Sequence, residues 1–95
     1  MISEETLQNY CDLLTENHHK RYDTENYKSK DYFTYSIGKK YVRIIHMMSG
    51  KYQSAFCFVD FEGNLYKCEG WSKPAKDIRG HISKPILDLG GFYKR

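Results

Sequence analysis

An α+β fold follows from three observations: an amphipathic opening stretch, a switch of hydropathy period from helical to alternating at Tyr32, and closely spaced tight turns after it. The expected architecture is an N-terminal helix packed on a four-stranded antiparallel meander sheet, followed by a short helical turn and a C-terminal tail. Ninety-five residues make a single domain, 1–95, with one core.

The helix is expected from Ser3 to about Tyr22. Ser3 suits the N-cap, and Glu4 and Glu5 place negative charge where the helix dipole favours it. Leu7, Tyr10, Cys11, Leu14 and His18 fall on one face, widened by Leu13. His19, Lys20 and Arg21 complement the C-terminal end. Residues 23–31 are polar and read as a connector, pinned by Tyr22 and Tyr27.

From Tyr32 the period is two. Strands are expected at 32–37, 40–48, 52–61 and 65–68, with turns at Gly38-Lys39, Ser49-Gly50 and Glu62-Gly63-Asn64. If Ser49-Gly50 is a two-residue loop, Met48 faces Lys51 and Ile44 faces Ala55. Phe33, Tyr35, Ile37, Val42, Ile44, Ala55, Cys57, Val59, Tyr66 and Cys68 then share the face that receives the helix. Tyr41, Arg43, Ile45, Met47, Tyr52, Ser54, Phe56, Phe58 and Lys67 share the other. A slip of one residue exchanges the two sets.

Nine Tyr, five Phe and one Trp demand an aromatic core, some of it at edges where a phenol can reach water. Net charge is +3, unevenly spread. Residues 1–32 hold seven acidic and four basic side chains, whereas residues 33–95 hold five and eleven. The basic second part is compatible with an anionic partner. Three cysteines without a CxxC pattern are expected as buried free thiols, with Cys57 and Cys68 packed as neighbours rather than bonded. No stretch is apolar enough to span a membrane and the acidic start lacks signal-peptide form, so a soluble, cytoplasmic protein is expected.

Two candidate binding surfaces stand out. Tyr41, Arg43, Phe56 and Phe58 on the second sheet face could stack bases while pairing with phosphates, unless Ile86, Leu87 and Leu89 of the tail cover that face. The second surface is the stretch 70–80. Ser72 could cap a helical turn there, with Pro74 in its first residues and Gly80 ending it. Lys73, Lys76 and Arg79 would then lie on one side and, with Lys67, contact phosphates around Trp71, which is read as a core plug first and as a stacking plate second.

His18 and His19 are adjacent, so their side chains diverge by about 100° on a helix and share no ion. No metal or cofactor is expected. No catalytic motif is present: no P-loop, GxGxxG, HExxH or paired carboxylates, so a non-enzymatic protein is expected. The run 56–61 echoes part of the RNA-recognition-motif signature, but one helix followed by four strands does not match βαββαβ.

The strand Lys40–Ile45, the strand ending Cys57-Phe58-Val59-Asp60, Gly63 with Leu65-Tyr66-Lys67, and the block Trp71-x-x-Pro74-Ala75-Lys76-x-x-Arg79-Gly80 resemble a family of short proteins of tailed bacteriophages, marine ones included. The resemblance covers about half of the chain and implies a small accessory role in a phage, in the host cell cytoplasm, without implying an activity. Two functions stay open. One is binding of nucleic acid or another polyanion through Lys67, Trp71, Lys73, Lys76 and Arg79. The other is a protein-interaction module for a host or phage protein, which would include homo-oligomers.

Overall fold

Ser3 caps the N-terminal helix: its Oγ accepts the Thr6 N–H at 3.2 Å, and α1 runs Glu4–Tyr22 in the computed structural model. The structure describes residues 2–88 and Phe92. Five strands follow, β1 Tyr32–Ile37, β2 Tyr41–Met48, β3 Tyr52–Asp60, β4 Asn64–Gly70 and β5 Lys73–His81. They form one antiparallel sheet in the order β1-β2-β3-β4-β5. The α+β meander is as expected, but with five strands instead of four. No described helix is long and apolar enough to cross a membrane.

The fifth strand replaces the expected helical turn. Gly70 pairs with Lys73, so Trp71-Ser72 is a tight hairpin loop rather than a helix cap. Pro74 sits on β5, an edge strand, the part of a sheet that tolerates proline. The β4–β5 register shifts at three places, which hides the alternation that would mark a strand in the sequence.

The β2–β3 register also departs from expectation. The loop holds Ser49, Gly50 and Lys51, with Met48 opposite Tyr52. Ser49 (φ 54°) and Gly50 (φ 69°) both turn through the left-handed region. A bulge then leaves Phe56 without a partner, between the Ile45–Ala55 and Ile44–Cys57 pairs. The two offsets add to two residues, so Cys57 and Val59 still share the face of Ile44 while Phe56 changes sides.

The core lies between α1 and the sheet. Leu7, Tyr10, Cys11 and Leu14 of the helix meet Phe33, Val42, Ile44, Phe56, Cys57, Val59 and Leu65. Ile86 and Leu87 pack on this same side, and Phe92 is fully buried in it. The described tail residues Ile86, Leu87 and Phe92 therefore support the helix side, not the opposite face. Leu89, expected to join them, lies outside the described residues, as do Gly90, Gly91 and Tyr93. The Tyr10 hydroxyl donates to the Ile86 carbonyl at 2.6 Å, and Thr15 Oγ1 accepts the Phe33 N–H at 3.0 Å, tying tail and edge strand to the helix. Burial pushes the Cys11 thiol up to about 12, and pushes Cys57 up as well; Cys11, Cys57 and Cys68 are all free.

On β4 the expected faces are reversed. Leu65 is fully buried under the helix, whereas Tyr66 meets Tyr41 on the far side, ring centroids 5.4 Å apart. Cys68 donates to the Ala55 carbonyl at 3.3 Å, and Lys67 stands opposite Cys57.

Candidate functional site

Two regions gather chemistry-bearing side chains. The first is the sheet face away from the helix. Ile45, Phe58 and Tyr66 are buried there, outside the helix-side core. Phe58 lies under Tyr41 and Arg43, at 6.3 Å between ring centroids and 5.9 Å from the guanidinium carbon. Tyr66 is anchored through its hydroxyl, which donates to Asp60 Oδ2 at 2.8 Å. Burial and this bond to an anion push the Tyr66 phenol up to about 12. Asp60 also accepts the backbone N–H groups of Glu62 and Asn64 and the Asn64 amide. Burial alone would raise the Asp60 carboxyl, but these donors outweigh it and hold it below its ordinary value.

Over this face hangs the β4–β5 loop. Arg43 Nε donates to the Trp71 carbonyl at 2.7 Å, and its guanidinium carbon lies 4.3 Å from the centroid of the indole. Trp71 is 41% exposed, so it is a surface plate held by Arg43 and not the core plug expected. Beside it opens a cleft of about 180 Å³ lined by Lys39, Lys40, Tyr41, Arg43, Phe58 and Ser72. None of Lys39, Lys40 and Arg43 has a carboxylate partner among the described residues.

The expected site residues thus divide. Tyr41, Arg43, Phe58 and Trp71 come together. Phe56 does not: the bulge turns it into the core, edge-on to Phe33 at 5.2 Å. Lys67 does not either, since a residue directly opposite Cys57 shares its face, the helix side. Lys73 pairs loosely with Glu69 at 3.7 Å and Lys76 is exposed, both on β5. Three-residue spacing on a strand does not gather Lys73, Lys76 and Arg79 on one side as a helix would. Arg79 is half-buried, and its Nε has no hydrogen-bond partner among the described residues. Lys39 and Lys40 were not singled out; their signal was position, two cations in the turn that precedes Tyr41 and Arg43.

The second region lies where the C-terminal half of α1 meets the connector and β2. Asp31 Oδ2 lies 2.7 Å from His46 Nε2 and 3.2 Å from His18 Nε2. Asp31 Oδ1 accepts the Ser49 N–H at 2.8 Å. Ser29 Oγ lies 3.3 Å from His18 Nε2 and accepts the Asp31 N–H at 3.1 Å. His46 stacks on Phe33 at 4.4 Å, and His18 leans on Tyr22 at 4.6 Å. His19 turns instead to Asp23 Oδ2 at 2.9 Å, so the adjacent histidines do diverge.

Burial would raise the Asp31 carboxyl, but donation from Ser49, contact with His46 and the other polar neighbours hold it below its usual value. Burial lowers His18 despite the pull of Asp31. The anion therefore faces a His18 that favours the neutral state, making this contact a charge-assisted hydrogen bond rather than an ion pair. Both imidazoles line a cavity of about 410 Å³ that reaches inward to Leu14 and Phe56 and outward to Arg21 and Asp88.

One helix on one side of a five-stranded antiparallel meander, with a basic aromatic cleft on the other, defines a small α+β domain. The chain belongs to a family of unknown function, DUF7717, which it matches over residues 2–87. No curated protein and no solved structure matches it.

Proposed function

We propose that the protein is a non-enzymatic accessory protein that binds a polyanion, single-stranded nucleic acid above all, on the sheet face away from the helix. The observation that carries this is the cleft between the β1–β2 and β4–β5 turns, where Lys39, Lys40 and Arg43 stand without carboxylate partners beside a half-exposed indole. Cations track phosphates, and an aromatic plate takes a base of any sequence. Arg43 has both roles: its bond to the Trp71 carbonyl and its stacking on the ring preorganise plate and charge together. The accessory role in a tailed bacteriophage, implied by the likeness of the Trp71–Gly80 block, belongs to the same proposal.

Trp71, the only tryptophan, reports binding directly. Titration with an oligo-dT strand at low salt is expected to change its fluorescence saturably. Neutralising three phosphates predicts about a 20-fold loss of affinity between 50 and 200 mM salt. The double variant Lys39→Ala, Lys40→Ala should flatten the log–log salt slope by about 1.4. Absence of binding at low salt would overturn the proposal. A mass that rises with protein concentration, without oligonucleotide binding, would favour the protein-interaction alternative instead. Equal binding of heparin and oligo-dT, unaffected by Trp71→Ala when followed with a labelled strand, would remove the stacking role and leave polyanion binding alone.

A further inference from the structure

We infer that His18, Asp31 and His46 form a binding site for one divalent transition-metal ion of borderline softness, such as Zn²⁺, at the mouth of the cavity between α1 and the sheet. One ligand atom from each of the three residues lies within 4.8 Å of the other two. The three come from the helix, the connector and β2, so the site exists only in the folded chain.

Two imidazoles and one carboxylate are a donor set that suits zinc, with bonds of about 2.0–2.2 Å. Tetrahedral bonds of that length put ligand atoms about 3.3 Å apart. The Asp31–His18 edge is already 3.2 Å, and the Asp31–His46 edge of 2.7 Å has to open by about 0.6 Å on the scale of such bonds. The ligands are held from behind: Asp31 by the Ser49 N–H through Oδ1, and His46 by its stack on Phe33. Side-chain exposures of 16%, 15% and 22% for His18, Asp31 and His46 leave one open side. A fourth ligand can come from water or from the Ser29 hydroxyl, 3.3 Å from His18 Nε2. Binding requires Nε2 of each imidazole to give up its proton: in a neutral ring the proton moves to Nδ1, in an imidazolium the Nε2 proton goes to solvent, and either way the Nε2 lone pair is freed for the ion.

The alternative is a cluster closed by hydrogen bonds alone. Full-length protein freed of metal with EDTA should bind one equivalent of ZnCl₂ by calorimetry, and Co²⁺ should develop the visible d–d bands of a tetrahedral site. Asp31→Asn and His46→Gln should each weaken binding about a hundredfold, whereas His81→Ala, a histidine on β5 away from the cluster, should not change it. Circular dichroism verifies that the variants are folded. If they are not, the wild-type Co²⁺ spectrum decides: a purely octahedral, hexaaqua-like spectrum overturns the site. Absence of stoichiometric Zn²⁺ binding overturns it, as does binding unchanged in folded Asp31→Asn and His46→Gln.

Discussion

Val42, Ile44, Val59 and Leu65 are fully buried beneath α1, while Ile45, Phe58 and Tyr66, on the reverse side of the same strands, away from α1, are buried at 6%, 3% and 9% exposure. The two faces are held by different forces. The helix side is closed by apolar area, with the Tyr10 and Thr15 hydrogen bonds fixing position. The far side is held by polar anchors at its rim: Asp60 fixes the buried Tyr66, and Arg43 holds the half-exposed Trp71 at the surface. Apolar packing is non-directional and leaves no group free for a ligand. Directional anchors hold rings and cations in place while leaving them accessible, which is what a binding face requires.

Three substitutions would break or sharpen this contrast. The largest effect is expected from Phe56→Ala, which empties a core site flanked by Phe33 and Phe92 and should cost about 3–5 kcal/mol in denaturant unfolding. A loss under about 1 kcal/mol would place Phe56 on the binding face after all.

Next comes Asp60→Asn, at about 1.5–3 kcal/mol, because the charged acceptor of several hydrogen bonds is lost. The pH dependence separates charge from shape. The folded Asp60 carboxyl titrates below its unfolded value near 4, so its stabilisation is present above that pH and is lost as pH falls through the depressed folded value. Asp31 is depressed too and adds to the same acid limb. Asp60→Asn should therefore flatten the fall in stability below about pH 4 and leave the remainder to the other depressed carboxyls, Asp31 and Asp23. An unchanged acid limb would mean that the Asp60 bonds do not depend on its charge.

The smallest stability effect belongs to Arg43→Ala, about 1 kcal/mol for one hydrogen bond and one cation–π contact at a partly exposed site. Its oligonucleotide affinity should nevertheless fall well beyond what the loss of one phosphate contact explains, because Trp71 loses its support. An affinity change no larger than that of Lys39→Ala would show that the plate needs no Arg43.

Much of this was legible in the chain. The helix, its Ser3 cap and four of the strands follow from period and turn residues. Even the histidine cluster left a trace: His18 continues the inward stripe of Leu7 and Leu14, and His46 shares the parity of Val42 and Ile44, so both histidines point towards the space between helix and sheet. Asp31 left none, because a connector has no period from which to infer where its side chains turn.

Local sequence determined the elements, since helical and extended periods are properties of neighbouring residues. Only tertiary structure decided the faces. The Phe56 bulge, the longer Ser49–Lys51 loop and the reversed β4 each shift the pairing by one residue, and in a strand of period two such a shift moves a side chain through the sheet. The same long-range pairing made a strand of Lys73–His81, whose irregular ladder depends on β4 rather than on its own composition. It also drew Trp71 back across the sheet to Arg43, a contact between residues far apart in the chain that no local pattern encodes.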